Sequence, residues 1–229
     1  MSRLWAFTEA LREPGGIVLS PDEARHVATR RLQVGDALVL FDGRGRVAEA
    51  RLASITRRET RVEVEEIRER PRLDAGFVLA SAIPKGDRLS TMLQMLSQLG
   101  IETWQPLQLA DSSVRTLDPT AKRLHRIVIE SCKVARRAWA LEVRAPIDLA
   151  GALASASGPI FFGDREGEVA SLDSEASLLL IGPEAGFNAA ERQRILEAKG
   201  QPRSFASHNL RIETAAIAGA VAHHLARKT

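Results

Sequence analysis

Residues 178–226 read LLLIGPEAGFNAAERQRILEAKGQPRSFASHNLRIETAAIAGAVAHHLA, and two loops inside this stretch decide the fold class. Leu178 to Ile181 is a short, wholly apolar run with the length and content of a buried strand. It stops at Gly182-Pro183, a turn signal. Asn188 suits a helix N-cap, and Glu191 three residues later completes a capping-box pattern ahead of Ile195 and Leu196. Residues 182–187 are therefore predicted to form a loop between a buried strand and a helix start. A second loop, Phe205 to Arg211, leads into an Ala-rich helix beginning near Glu213. Two tight loops with Gly, polar and Arg residues, each opening a helix, are what a crevice at the carboxyl end of a sheet requires.

Upstream of this stretch, strand and helix patterns alternate, which argues for an α/β domain over residues 75–229. Phe77 to Ile83 reads as a strand and residues 84–87 as a turn. Leu89, Met92, Leu93 and Leu96 then fall at helical spacing, with Asp87 near the cap and Gly100 past the end. Trp104 to Leu109 is the next strand. Within 119–140, Leu124, Ile127, Val128, Ser131, Ala135 and Ala138 make a narrow apolar stripe. Lys122, Arg126, Lys133 and Arg137 fall on another face, where Glu130 is the single acid. A solvated helix face normally carries mixed signs, so this one is predicted to meet RNA. Leu149 to Ala156 reads as a helix, Ile160 to Phe162 as a short strand, and Asp164 to Ser177 as a polar connection.

Residues 1–72 are β-rich and are predicted to form a separate domain. Val34 to Phe41 ends at Asp42-Gly43, a strong hairpin signal, and Val47 to Ile55 and Arg61 to Ile67 follow as strands. Between them and the N-terminus, Ser20 suits an N-cap with Pro21 at the first helical position and Glu23 at the third. This short helix carries Arg25, His26, Arg30 and Arg31, which read either as a solvated face or as an RNA contact. The charged stretch Glu69 to Ala75, with Pro71, reads as a linker.

Composition narrows the class further. Hydrophobic residues make up 45% and charged residues 27%, which fits a soluble globular chain. The net charge is only +3, but the basic residues are mostly Arg, a phosphate-binding preference that high-GC codon usage also produces. Cys132 is the only cysteine, which excludes an intramolecular disulfide and a thiolate zinc site. His223-His224 lacks a partner at ligand spacing and reads as a helix-end pair, so no metal is expected. No apolar run has signal-peptide or transmembrane length, and a cytoplasmic protein is expected. Neither G-x-G-x-x-G nor G-x-x-x-x-G-K-[ST] occurs, so an ordinary dinucleotide or P-loop site is not signalled.

GPEAGFNAAE at 182–191 resembles the GPEGG-F-x-x-x-E signature of SPOUT-superfamily methyltransferases of the RsmE type. LRIETAA at 210–216 resembles that family's closing LR-x-ETA motif. Lys85, Gly86, Asp87, Arg88, Leu99, Gly100, Ile101 and Pro106 match its K-G-D-(R/K) block. Gly35-Asp36, Leu38, Leu40-Phe41 and Asp42-Gly43 match its N-terminal strand pair. The resemblance implies a knotted SPOUT-type α/β methyltransferase domain with a C-terminal trefoil knot, preceded by a small PUA-like β-barrel that holds RNA. It implies a homodimer that methylates N3 of a specific uridine in 16S ribosomal RNA of the small subunit, with S-adenosylmethionine as cofactor. Met95, Gln98, Ser112-Ser113, Val134, Ala185, Ala206, His208 and Asn209 depart from the family pattern.

Methyl transfer is an in-line displacement that needs close positioning and exclusion of water rather than a metal. Gly182 and Gly186 allow close backbone approach and Pro183 stiffens the loop. The expected cofactor-binding set is Leu180, Ile181, Gly182, Pro183, Glu184, Gly186, Phe205, Leu210, Thr214 and Ala215. N3 of uracil is protonated at neutral pH, so a base or stabilisation of the anion must assist. Arg211 is the candidate positive group, and Glu184 and Glu213 are candidate bases or positioning groups. Against these roles, Glu213 also suits a helix first turn and Glu184 a backbone acceptor. Candidate RNA contacts are Arg25, Arg30, Arg31, Lys85, Arg88, Arg126, Lys133 and Arg137. Two alternatives stand beside this expectation: a related methyltransferase acting at another RNA position, and a non-catalytic RNA-binding protein that keeps the fold.

Overall fold

Period-two alternation builds the first of two units into which the chain divides. The computed structural model describes residues 3–73, 76–169, 172 and 175–227. The first unit takes Met1–Leu73 together with Ile129–Ala140. Its elements are β1 (Leu4–Phe7), β2 (Gly15–Val18), α1 (Pro21–Thr29), β3 (Ala37–Phe41), β4 (Arg46–Ile55) and β5 (Thr60–Glu69). The sheet order is β1-β3-β4-β5-β2, with β1 parallel to β3 and the other pairs antiparallel. Along β4, Ala48, Ala50 and Leu52 are buried while Glu49 and Arg51 face solvent. Val62 and Val64 of β5 and Val27 of α1 join them in one core. Ser20 caps α1 by accepting from the Glu23 N–H, with Pro21 at the helix start, as the sequence predicts. At the β3–β4 connection Asp42 accepts from the Arg44 and Arg46 N–H groups, at 2.7 and 3.0 Å.

The second unit alternates strand and helix. It comprises β6 (Val78–Ala82), α2 (Asp87–Gln98), β7 (Thr103–Gln108), the first half of α3 (Lys122–Ala135), β8 (Glu142–Val143), β9 (Ile147–Asp148), α4 (Leu149–Ala154), β10 (Ile160–Glu168), β11 (Leu178–Ile181), α5 (Ala189–Glu197), β12 (Gln201–Arg203) and α6 (Ile212–Ala226). The strand order is β12-β10-β11-β6-β7-β8 with β9 beside β7, and every pairing is parallel. All four residues of β11 are buried, as expected of a strand inside a parallel sheet covered on both faces. Trp104 is fully buried, and its Nε1 donates to Ser81 Oγ at 2.9 Å. α6 runs close to the sheet at Gly219, where an added Cβ would run into Leu179.

Several expectations change. Strand β10 continues to Glu168, where the sequence predicts a polar connection from Asp164. Its far end pairs with β12, and Gly167 permits this because a Cβ there would lie 2.7 Å from the Arg203 nitrogen and the Pro202 carbonyl carbon. Ala138 lies beyond the end of α3. The second half of α3 clusters with the first unit, although a division at 72/75 assigns it to the second. Ile129 and Cys132 pack with Phe41, beside Trp5, Phe7, Val47 and Ala140. His223 and His224 lie in the last turn of α6, and His223 is in addition buried and stacked on Phe77, with ring centroids 3.6 Å apart. Among the described residues, no helix is long and apolar enough to cross a membrane.

Candidate cofactor site

The chain leaves β11 to the far side of β10, since β12 lies beyond it, so strand order reverses between β10 and β11. Ligands of open α/β sheets bind at such a reversal, outside the carboxyl ends of the strands. A cavity of about 440 Å³ opens there. Its floor is the turn after β11. The Gly186 N–H donates to the Pro183 carbonyl at 2.8 Å, and Gly186 takes a φ of 79° that favours glycine. The turn folds back onto Gly182, where an added Cβ would lie 3.1 Å from the Gly186 carbonyl carbon and 3.2 Å from the Phe187 nitrogen.

The start of α5 fixes the far side of that turn. Asn188 and Glu191 form the predicted capping box. Glu191 Oε2 accepts from the Asn188 N–H at 3.0 Å. Its other oxygen accepts from the Ala110 N–H at 2.9 Å, tying α5 to the segment after β7.

The end of β10 supplies a second wall. Phe162 meets Phe187 edge to face. Asp164 pairs with Arg192 at 3.0 Å and also accepts from the Glu166 N–H. The third wall is the loop from β12 to α6, with Phe205 and Leu210, and the first residue of α6, Ile212. Arg165 reaches across to this loop, its Nη1 lying 3.5 Å from Asn209 Oδ1.

The structure gathers Ile181, Gly182, Pro183, Glu184, Gly186, Phe205, Leu210 and Ala215 around the cavity. Leu180 lies in the sheet core, and Thr214 is exposed on α6. Neither lines the cavity. Of the three candidate catalytic residues, only Glu184 lies on the wall. Arg211 is exposed at the N-cap of α6. Glu213, in the first turn of α6, has only 15% of its side chain exposed and lies 3.8 Å from Arg88. The sequence reading missed the β10 end, Phe162 to Glu166, and also Phe187, Arg192 and Arg203. The available signal was Ile160-Phe161-Phe162 followed by Gly163-Asp164, an apolar run stopped by glycine like 178–182.

The candidate RNA contacts separate by environment. Arg30, Arg31, Lys85 and Arg126 are exposed, and exposed Arg25 pairs with Asp22. Arg137 is half-buried. Lys133 does not belong to an open basic face: only 7% of its side chain is exposed, and it pairs with Glu23 and Glu130. Arg88 bonds Glu184 at 3.1 Å. Among the described residues, no group of three or more His, Cys, Asp or Glu side chains is placed to hold a metal ion.

Fold and cavity together define an α/β domain with a ligand crevice at the carboxyl end of a parallel sheet, preceded by a small β-rich unit. The family model described as RNA methyltransferase domain matches residues 72–224, and that described as RNA methyltransferase PUA domain matches residues 19–65. The chain belongs to the RNA methyltransferase family of the RsmE type. It is 28% identical over 218 residues to the ribosomal RNA small subunit methyltransferase E of Rickettsia conorii, covering 90% of this chain and 88% of that one. The protein of the same name from Synechocystis is 29% identical over 129 residues, 56% of this chain and 42% of its own length. The putative methyltransferase Lpg2936 of Legionella pneumophila, solved with bound cofactor SAM, superposes with a TM-score of 0.80 at 26% identity over 99% of this chain and 98% of its own.

Proposed function

We propose that this protein transfers the methyl group of S-adenosylmethionine to N3 of a uridine in 16S ribosomal RNA of the small subunit. The observation that carries the proposal is the cavity enclosed by residues 181–187 together with Phe205, Leu210 and Ile212 at the strand-order reversal. Its volume lies in the range of roughly 300–1,000 Å³ typical of small-molecule sites. Phe162, Ile181, Phe205 and Leu210 offer apolar walls for a base. Asp164, Glu166 and Glu184 share the wall with Arg165, Arg192 and Arg203, so its formal charges balance and it offers both hydrogen-bond donors and acceptors to a polar ligand. When bound, S-adenosylmethionine supplies an electrophilic methyl group on a sulfonium.

The chain's own residues supply position and charge. Arg211 stands at the N-cap of α6, where the helix dipole is also positive, and stabilises negative charge developing on the uracil oxygens. Glu184, on the cavity wall, orients the acceptor or takes its proton, and Glu213 positions the start of α6. Exposed Arg25, Arg30, Arg31, Lys85 and Arg126 hold the RNA backbone. The protein works as a cytoplasmic homodimer, with the PUA-like barrel over 1–72 and a trefoil knot in the domain over 75–229.

The test is to incubate the protein and labelled S-adenosylmethionine with small subunits from a strain lacking the gene, then analyse the RNA nucleosides by mass spectrometry. We expect N3-methyluridine. Arg211→Ala lowers turnover at least about 10-fold while changing cofactor affinity less than about 3-fold. A label at another position, or no label at all, overturns the assignment.

A further inference from the structure

We propose that Arg88 is a positioning residue that latches the two cofactor loops together, rather than a contact for RNA phosphate. The proposal rests on the cofactor reading of the cavity. Arg88 sits in the first turn of α2, one residue after its start at Asp87. A cation there opposes the helix dipole, so the position carries a local cost that something must offset. Two carboxylates from distant parts of the chain offset it. Arg88 Nη1 lies 3.1 Å from Glu184 Oε1, in the turn after β11 that forms the cavity floor. The same nitrogen lies 3.8 Å from Glu213 Oε2, in the first turn of α6.

Glu213 makes the arrangement directional. Its Oε2 is buried and accepts no hydrogen bond, so the Arg88 charge is what compensates it. The Arg88 side chain is two-thirds covered, with 33% exposed. A phosphate taking Arg88 would strip Glu213 of that compensation and release Glu184 from the floor. The latch therefore closes the turn of residues 182–187 against the helix that follows the second loop. Its closed state is the one that encloses S-adenosylmethionine. A partly exposed pair of this kind contributes up to about 5-fold in an equilibrium constant.

The test measures S-adenosylmethionine affinity by calorimetry in the full-length protein and in Arg88→Met, Arg88→Lys, Glu184→Gln and the Arg88→Met/Glu184→Gln double variant. Amide exchange of residues 182–188 without ligand is followed in parallel. Arg88→Met keeps the apolar stem, and exchange in β11 reports whether each variant is folded. We expect Arg88→Met and Glu184→Gln each to weaken cofactor binding about 5-fold, and the double variant to be no weaker than either. Arg88→Lys stays within about 2-fold of wild type, and exchange of 182–188 rises only where the charge pair is lost. Unchanged affinity and exchange in Arg88→Met, or additive effects in the double variant, overturn the latch. A loss of affinity for 16S ribosomal RNA with cofactor binding intact makes Arg88 an RNA contact instead. If the wild type itself fails to bind S-adenosylmethionine, the cofactor reading falls, while the exchange rates still decide whether Arg88 restrains the turn.

Discussion

Glu191→Ala removes the carboxylate that holds the cavity floor to its neighbours. Glu191 is 8% exposed and accepts two backbone N–H groups, from Ala110 at 2.9 Å and Asn188 at 3.0 Å. A hydrogen bond to a charged acceptor contributes about 1.5–3 kcal/mol net. Both donors are only part-buried, so the lower value applies, and the pair contributes about 3 kcal/mol. In a chain of this length 1 kcal/mol moves Tm by about 2–4 °C, so Glu191→Ala should lower it by about 6–12 °C. Glu191→Gln keeps one good acceptor and faces the other N–H with an amide donor, so its loss is about half as large. Asn188→Ala removes only the other half of the capping box, the bond its Oδ1 accepts from the Glu191 N–H, and costs about 1 kcal/mol. Thermal unfolding followed by circular dichroism should therefore rank the losses Glu191→Ala, Glu191→Gln, Asn188→Ala. A Glu191→Ala loss no larger than that of Asn188→Ala would mean that the tie to Ala110 contributes nothing, and the reasoning fails.

Two further outcomes are expected. Gly182→Ala places a methyl group against the Gly186 carbonyl carbon and the Phe187 nitrogen, both backbone atoms, so the turn must shift; S-adenosylmethionine binding should weaken about 10-fold with little change in Tm, and calorimetry showing an unaltered affinity refutes this. Lys133→Met strands Glu23, which is 5% exposed, and should cost about 3–5 kcal/mol in urea unfolding, most of it recovered in the Lys133→Met/Glu23→Gln double variant; a stable single variant with weakened RNA binding would return Lys133 to the RNA surface.

What was legible in the sequence follows from the range of the forces involved. The capping box at Asn188 and Glu191, the Ser20 cap and the all-apolar β11 depend on neighbours within a few residues, and each forms as predicted. The cavity floor was legible for the same reason: Gly182, Pro183 and Gly186 announce their turn locally. Its other walls were not. Asp164 and Arg192 meet across 28 positions, and Arg88 and Glu184 across 96, and no local pattern marks such pairs. The strands β2, β8, β9 and β12 have two to four residues each, too few for periodicity to register, and the polar end of β10 becomes a strand only because Gly167 lets the β12 backbone approach.

Charge misled for a related reason. Spacing along α3 places Lys133 with Lys122 and Arg126, and spacing alone makes the three equivalent. They are not equivalent, because Glu23 of α1 meets Lys133 alone of the three and turns one member of a basic stripe into a buried pair. The same logic separates Arg88 from Lys85, three residues apart in one motif: one is committed to two carboxylates and the other is exposed. A basic residue in this chain is available to RNA only where no acid from elsewhere in its own unit has reached it first, and that condition is set by tertiary packing.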